Sequence, residues 1–414
     1  MKYGIRTMDE VEVCGKTVLL RLDLNQAINR KTGAFRDITR IKASVPTVAE
    51  LSEKGAKLVL MAHQGSDVEY KNYYTTEPHA KVLSELLGKE VRFVPDVCGP
   101  TAIEAIRSLK NGEILLLDNV RFMAEEQTLF ELNLHLTHAQ QAETLLVRRL
   151  APLADLNIGD AFAAAHRDQP SLCGFEQVLP SAMGRLFEKE YTVISDVMEN
   201  PKRPCVFFLG GTKVNDAYQM IETALTRGYA DKILTSGFVS AIFYLAKGVD
   251  LGPKALEEIR AVGCYDMVGK AKELLDRFGD RIVLPTDGAC VIDGERIECR
   301  QDAMPTGYTW VDLGHETVAA YGEEIRNAGT VFLNGPAGIY EEELTSFGTR
   351  GILKAMTETE AFTVIGGGDS VSAANKFGYA SGLDYVCTGG GALIRFLAGE
   401  ELPVVKALRH GSLL

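Results

Sequence analysis

A chain of 414 residues is too long for one ordinary domain and points to two. Its 44 Lys and Arg against 56 Asp and Glu leave a net charge of −12, and a composition 46% hydrophobic and 24% charged belongs to a folded protein, not a disordered one. The negative balance argues against nonspecific binding to nucleic acid or an acidic membrane, which needs a basic surface, but it leaves room for a small anion held by locally gathered cations.

The eight cysteines are scattered without CxxC pairs or zinc-finger spacing, which reads as reduced thiols in a cytoplasmic protein. The start, MKYGIRTMDEVEV, has no apolar run of signal-peptide type. The most apolar long stretch, 150–165, is broken by Asp155 and Asp160 and is shorter than the ~18 residues a membrane span needs. No membrane segment and no nucleic-acid partner are expected.

In chain order, TVLLRLDL at 17–24 reads as a strand, 41–54 as a helix and KLVLMAH at 57–63 as a strand. HAKVLSELL, VRFV, TAIEAIRSL and EILLL continue the rhythm as far as Leu156 and Asn157. Such βα alternation predicts a parallel sheet covered by helices on both faces. A second series starts at PCVFFLGG, 204–211, and runs through VNDAYQMIETAL, KILTSG, KAKELLDRF, IVLP, TVFLNG, FTVIGGG and YVCTGGG. Between the series, 182–199 has apolar residues at three- and four-residue spacing and ends at Asn200-Pro201, predicting a connecting helix. Around Asp293-Gly294, residues 288–305 read as a β-hairpin excursion. The expected fold class is α/β, with two doubly wound Rossmann-like domains, each a parallel sheet flanked by helices, joined by a hinge helix.

Glycine supplies 40 residues, and much of the excess falls at strand-to-helix junctions of the second half: Gly210-Gly211, Gly237, Gly335 with Gly338, Gly366-Gly367-Gly368 and Gly389-Gly390-Gly391. Ligands of open α/β sheets bind at the carboxyl ends of strands, where glycine lets the backbone approach and helix N-termini offer N–H groups to anions. The set therefore predicts a nucleotide or phosphate site, although neither a Walker loop nor an opening GxGxxG is present. Lys213 can reach a phosphate as a flexible point charge, and Asp369, at a helix start, can support Mg²⁺, which prefers oxygen ligands. In the first half, Arg21, Asp23, Asn25, His63, Gly65, Arg121 and the pair His166-Arg167 follow strands, and Arg40 precedes a helix. Arginines gathered on one sheet edge suit a small phosphorylated carboxylate, because guanidinium forks pair with such groups bidentately. His135 and His138 have a spacing suited to a metal, but no acidic or cysteine partner is evident, so they read as surface histidines. Cys387 reads as a small buried residue at a strand end.

These residues resemble the phosphoglycerate kinase family. RLDLN at 21–25, DITR at 37–40, HQG at 63–65, LLLDNVRF at 115–122 and DAFAAAHR at 160–167 look like its substrate-domain motifs, in order. GGTKVND at 210–216, NGPAGIYE at 334–341, GGGDS at 366–370 and CTGGGA at 387–392 look like its nucleotide-domain motifs, and HQG and FAAAHR are most similar to the archaeal branch.

The resemblance implies reversible phosphoryl transfer between 1,3-bisphosphoglycerate and ADP, giving 3-phosphoglycerate and MgATP, by a monomer or homodimer. It implies that Asp23, Leu24, Asn25, Arg40, His63, Gly65, Ser66, Arg121 and Arg167 hold the acid, with Arg40 and Lys213 flanking the transferring group. Gly211, Lys213, Gly237, Glu341, Gly366, Gly367, Gly368, Asp369 and Ser370 would meet the nucleotide, Asp369 would support Mg²⁺, and Gly389, Gly390 and Gly391 would form a helix start near the reaction centre. The implied division is a phosphoglycerate-binding domain of 1–181 with the tail from about 399 to 414, a hinge helix of 182–199 and a nucleotide-binding domain of 200–398. Two departures stand out: Ser66-Asp67 where the family usually has an arginine, with Lys71 nearby as a replacement cation, and Ala217 where many members have a second lysine. Ser66 keeps open a related kinase for another phosphorylated carboxylate, and a noncatalytic nucleotide-binding paralogue is the reading from a different class.

Overall fold

The computed structural model describes residues 1–29, 31–65, 73–305 and 307–414. Contacts divide the chain into two compact units, Met1–Thr192 with Glu401–Leu414, and Val193–Glu400.

Unit 1 holds six parallel strands: β1 (Thr17–Leu22), β2 (Lys57–Met61), β3 (Val91–Val94), β4 (Ile114–Leu117), β5 (Leu156–Asp160) and β6 (Ser181–Met183), in the order β3-β4-β2-β1-β5-β6. Successive side chains of a strand point to opposite faces, and both faces are covered. Val18, Leu20 and Leu22 join Leu58 and Leu60 in a cluster with Ile41, Val48 and Leu51 of helix Thr39–Glu53. Leu19 faces the other way, with Val59, Leu115, Ile106 and Leu146. This is why both strand cores read as continuous apolar runs without alternation. The chain leaves β1 toward β2 on one side and returns through β5 on the other, so the loops after β1 diverge at a topological switch point.

Unit 2 repeats the plan with β7 (Cys205–Leu209), β8 (Lys232–Thr235), β9 (Ile282–Val283), β13 (Thr330–Asn334), β14 (Phe362–Gly366) and β15 (Tyr385–Val386), ordered β15-β14-β13-β7-β8-β9, all parallel. Its switch point lies between β7 and β13. The expected excursion is an antiparallel sheet of β10 (Asp287–Ile292), β11 (Glu295–Arg300) and β12 (Asp312–Leu313), with Asp293 at φ 51° and Gly294 at φ 83° turning the hairpin.

The connecting helix differs from the expectation at its start. Residues 181–183 are strand β6, paired with β5 from Asn157↔Ser181 to Gly159↔Met183, and the helix is Arg185–Glu199. A short apolar run carries no period that separates strand from helix. Gly184 makes the break, since a Cβ there would strike the Asp160 carboxyl group, whose Oδ1 instead accepts the Phe187 N–H at 2.9 Å. The division into units falls within this helix, between Thr192 and Val193. The C-terminal helix Pro403–Gly411 packs on unit 1, with Val404 N–H donating to the Ala165 carbonyl and Arg6 N–H to Ser412 Oγ.

Candidate active site

In unit 1 the polar residues expected around the acid meet at the carboxyl ends of β1, β2 and β4. Arg21 lies in β1 between Met61 and Gly159, and although only 2% exposed it is fully engaged. Its Nε donates to Ser171 Oγ at 2.8 Å, Nη1 to the Leu22 carbonyl at 2.5 Å, and Nη2 lies 3.3 Å from His63 Nδ1. Behind Ser171, the buried Glu126 accepts the Ser171 N–H and hydroxyl at 2.5 and 2.7 Å. Asp23 accepts the Asn25 N–H at 3.0 Å and Arg40 Nη1 at 3.0 Å, and Asn25 Oδ1 accepts the Gly65 N–H at 2.9 Å. Arg121 donates from Nη1 to the Gly65 carbonyl and stands 6.0 Å over the Tyr73 ring, while its buried Nε has no hydrogen-bond partner among the described residues. Arg167 Nη1 lies 3.6 Å from Glu131.

His63 reports the charge of this region. Burial, and then the positive charges of Arg121, Arg21, Arg167 and Arg40, push its imidazole well below the ordinary value, so it is neutral at physiological pH. Burial and the neighbouring Arg167 and Arg21 also push the Arg121 guanidinium down to about 10. Four arginines thus gather on one sheet edge of an acidic protein, with Asp23, Glu126 and Glu131 offsetting only part of their charge. That excess positive potential needs an anion to relieve it.

Leu24 stands apart from the expected set. It has no exposed surface and belongs to the apolar cluster with Leu22 and Ile41, so its side chain packs the core and does not face a ligand. Ser66 and Lys71 lie outside the described residues. Sequence reasoning missed the supports. Gln64 bridges Gln26 and His79, Asn119 Oδ1 accepts the Gln64 and Arg121 N–H groups, and Glu126 with Ser171 anchors Arg21. Gln64 and Asn119 lay inside the HQG and LLLDNVRF motifs without a role of their own, and Gln26, Glu126 and Ser171 had no sign beyond lying near the motifs.

In unit 2, a cleft of ≈ 500 Å³ opens at the switch point, within the size range of small-molecule sites. Gly211, Gly237, Glu341 and Asp369 line it. Glycine is required at the junction: Gly211 and Gly237 have φ 77° and 56°, and a Cβ on Gly210 would meet Ser236 and Pro336. The expected phosphate-facing groups sit at helix starts. Lys213 is exposed at the N-cap of Val214–Thr226, and Gly368 and Asp369 are exposed in the first turn of Gly368–Phe377. Ser370 is turned inward, accepting the Gly335 N–H at 2.8 Å, and Gly367 at φ 85° presses on Asn334. Gly366 is buried where a Cβ would strike Leu393, so it serves close packing. Gly389, Gly390 and Gly391 open helix Gly390–Leu397, with Gly391 exposed, and the Gly389 N–H points to the buried Cys387 Sγ at 3.4 Å.

The cleft's apolar wall was not foreseen. Phe238, Tyr244, Met304 and Trp310 line it, the Tyr244 and Trp310 rings meeting edge to face at 5.9 Å. Trp310, the sole tryptophan, lies on Gly288, and its position just after the expected hairpin was the one available signal. An apolar wall beside glycine-opened helix N-termini suits a flat base with anionic phosphates.

An anion-seeking edge in one unit and a base-and-phosphate cleft in the other define a phosphotransferase with two Rossmann-like units. The phosphoglycerate kinase family model matches residues 8–400. A phosphoglycerate kinase of Methanothermobacter thermautotrophicus is 44% identical over 411 residues, covering 99% of this chain and 98% of the relative. One from Methanococcus maripaludis is 44% identical over 404 residues, covering 97% of each. The crystal structure of phosphoglycerate kinase from Pyrococcus horikoshii superposes with a TM-score of 0.89 at 39% identity, covering 98% of this chain and 99% of that one. The chain belongs to the phosphoglycerate kinase family.

Proposed function

We propose that the protein transfers a phosphoryl group reversibly between 1,3-bisphosphoglycerate and ADP, yielding 3-phosphoglycerate and ATP. The observation that carries this reading is the convergence of Arg21, Arg40, Arg121 and Arg167 around the buried His63 at one sheet edge. A small molecule bearing both a carboxylate and a phosphate matches that charge, and neutral His63, its Nδ1 accepting from Arg21, can donate from Nε2 without adding repulsion. In this assignment Asp23, Asn25, Arg40, His63, Arg121 and Arg167 hold the acid. Asp23 fixes Arg40, which faces the transferring group.

The nucleotide base lies against Trp310 and Tyr244, Glu341 holds the ribose, and the phosphates meet Gly211, Lys213, Gly237, Gly368 and Asp369. Gly389 to Gly391 offer a further helix start. Exposed on the cleft wall, the Asp369 carboxylate is a hard oxygen donor that fits Mg²⁺ carried by the nucleotide phosphates, where the ion would neutralise phosphate charge. Transfer to a carboxylate needs alignment and positive charge around the equatorial oxygens but little proton chemistry, so the arginines and Lys213 can supply most of the catalysis. The eight free thiols fit a reducing cytoplasm.

A coupled assay with MgATP and 3-phosphoglycerate tests the proposal, run beside 2-phosphoglycerate and beside Lys213→Ala. Turnover on the 3-phospho acid that falls about 10²- to 10³-fold in the lysine variant, with nucleotide affinity largely kept, is the expected result. Preference for the isomeric acid would favour a related kinase, and nucleotide binding without transfer to any acid would leave a noncatalytic paralogue.

A further inference from the structure

The structure overturns one expectation in unit 1. His138, which in the sequence lacked acidic or cysteine partners, lies beside Asp168 and Cys173, and one ligating atom from each falls within 4.8 Å of the others. They come from three places: the first residue of helix His138–Ala142, the residue after Arg167, and the last residue of helix Pro170–Cys173. His138 Nε2 is 3.3 Å from Asp168 Oδ1. Independently, Gln141 is 1% exposed and donates from Nε2 to Asp168 Oδ1 at 2.5 Å, while its buried Oε1 has no hydrogen-bond partner among the described residues. An imidazole, a carboxylate and a thiol gathered this closely, with the buried Gln141 amide bonded to the carboxylate, form an incomplete polar cluster.

We propose that His138, Asp168 and Cys173 form a binding site for a borderline divalent cation of the Zn²⁺ class, with Gln141 Oε1 or water as fourth ligand. The donor set selects the ion. Mg²⁺ and Ca²⁺ take oxygen ligands, whereas Zn²⁺ takes nitrogen, sulfur and a carboxylate oxygen together. Tetrahedral bonds of ~2.0–2.3 Å separate donor atoms by about 3.3–3.8 Å. The His138–Asp168 spacing already satisfies this, and the cluster has to contract by about 1 Å overall. Cys173 is fully buried but the Asp168 side chain is 42% exposed, which gives an ion a route in. On binding, the thiol loses its proton to solvent and a sulfur–metal bond forms, with no change of oxidation state.

This site would act on the acid-binding edge through Arg167. Cys173 Sγ donates to the Arg167 carbonyl at 3.9 Å, and Glu131 accepts the Asp168 N–H at 2.9 Å while lying 3.6 Å from the Arg167 guanidinium. A metal held by Asp168 and Cys173 would pin the backbone on both sides of this hydrogen-bonded loop. Arg167 would then be positioned by the ion, a consequence that rests on the proposed acid site, whereas metal binding itself does not.

The test uses the full chain after chelator treatment. Calorimetric titration with Zn²⁺ should show one tight equivalent, and Co²⁺ should give the charge-transfer absorption of a thiolate ligand. Cys173→Ser should abolish that band, and His138→Ala, a change at a partly exposed helix start, should weaken Zn²⁺ at least tenfold while keeping the circular dichroism of the parent. The KM for 3-phosphoglycerate should differ between zinc-free and zinc-loaded protein while that for ATP does not. Absence of a thiolate band, or equal affinity in the parent and His138→Ala, overturns the site. Both titrations are read without turnover, so their failure is distinguishable from failure of the kinase assignment.

Discussion

Arg121 should stabilise the ligand and destabilise the fold, and Arg121→Met separates the two effects. Its guanidinium is pushed from 12.5 down to about 10, by burial first and then by Arg167 and Arg21. At about 1.4 kcal/mol per pH unit, keeping this side chain charged costs the unliganded fold about 3 kcal/mol. Methionine retains most of the stem's packing and removes the charge. It also removes the charge-assisted hydrogen bond to the Gly65 carbonyl, worth about 1.5–3 kcal/mol. The ligand-free variant should therefore be at least as stable as the parent, and up to about 1.5 kcal/mol more stable, read from urea midpoints by circular dichroism. Loss of a charge-assisted contact of ~1.5–3 kcal/mol should raise the KM for 3-phosphoglycerate about 10- to 150-fold. Inorganic sulfate should protect the parent against urea more than it protects the variant. A variant less stable than the parent, with KM within about twofold, would refute the reasoning and make Arg121 a structural cation.

Three further outcomes follow from the cleft and the core. Because Trp310 is the sole tryptophan and lines the cleft, ATP should change its emission saturably, and an unchanged spectrum at saturating nucleotide would remove the base from that wall. Asp369→Asn should raise the Mg²⁺ concentration needed for half-maximal rate about tenfold with little change in the KM for the acid, which metal titration of the rate can check. Burial pushes the Glu176 carboxyl up to about 8, with Oε1 accepting Asn157 Nδ2 at 3.0 Å. Below pH 4.5 both folded and unfolded states are protonated, so Glu176→Gln should change little there. Between pH 4.5 and 8 only the unfolded side chain ionises, so the parent should lose stability relative to the variant, and the gap should level off above pH 8. Parallel urea curves across that range would contradict this.

What local pattern encodes was open to sequence reading. Continuous apolar runs such as KLVLM and CVFFL announce strands buried on both faces, and the Asp293-Gly294 turn announces its hairpin, because each depends on neighbours a few residues away. The glycine junctions and strand-end arginines were legible for the same reason, since βα order places every strand's carboxyl end on one edge. Whatever depends on distance between remote segments was decided only by the tertiary structure. Ala182 and Met183 became strand because β5 offered a pairing edge and Gly184 had to pass the Asp160 carboxyl group. Leu24 and Gly366, at motif positions, turned out to be packing residues. Likewise His63 is held neutral by its burial and by four arginines brought together from separate elements, Trp310 lies on Gly288 at the cleft, and His138 meets Asp168 and Cys173 only through folding. Charge, burial and ligand geometry act through space, and in these cases the chain between the partners carries no trace of their approach.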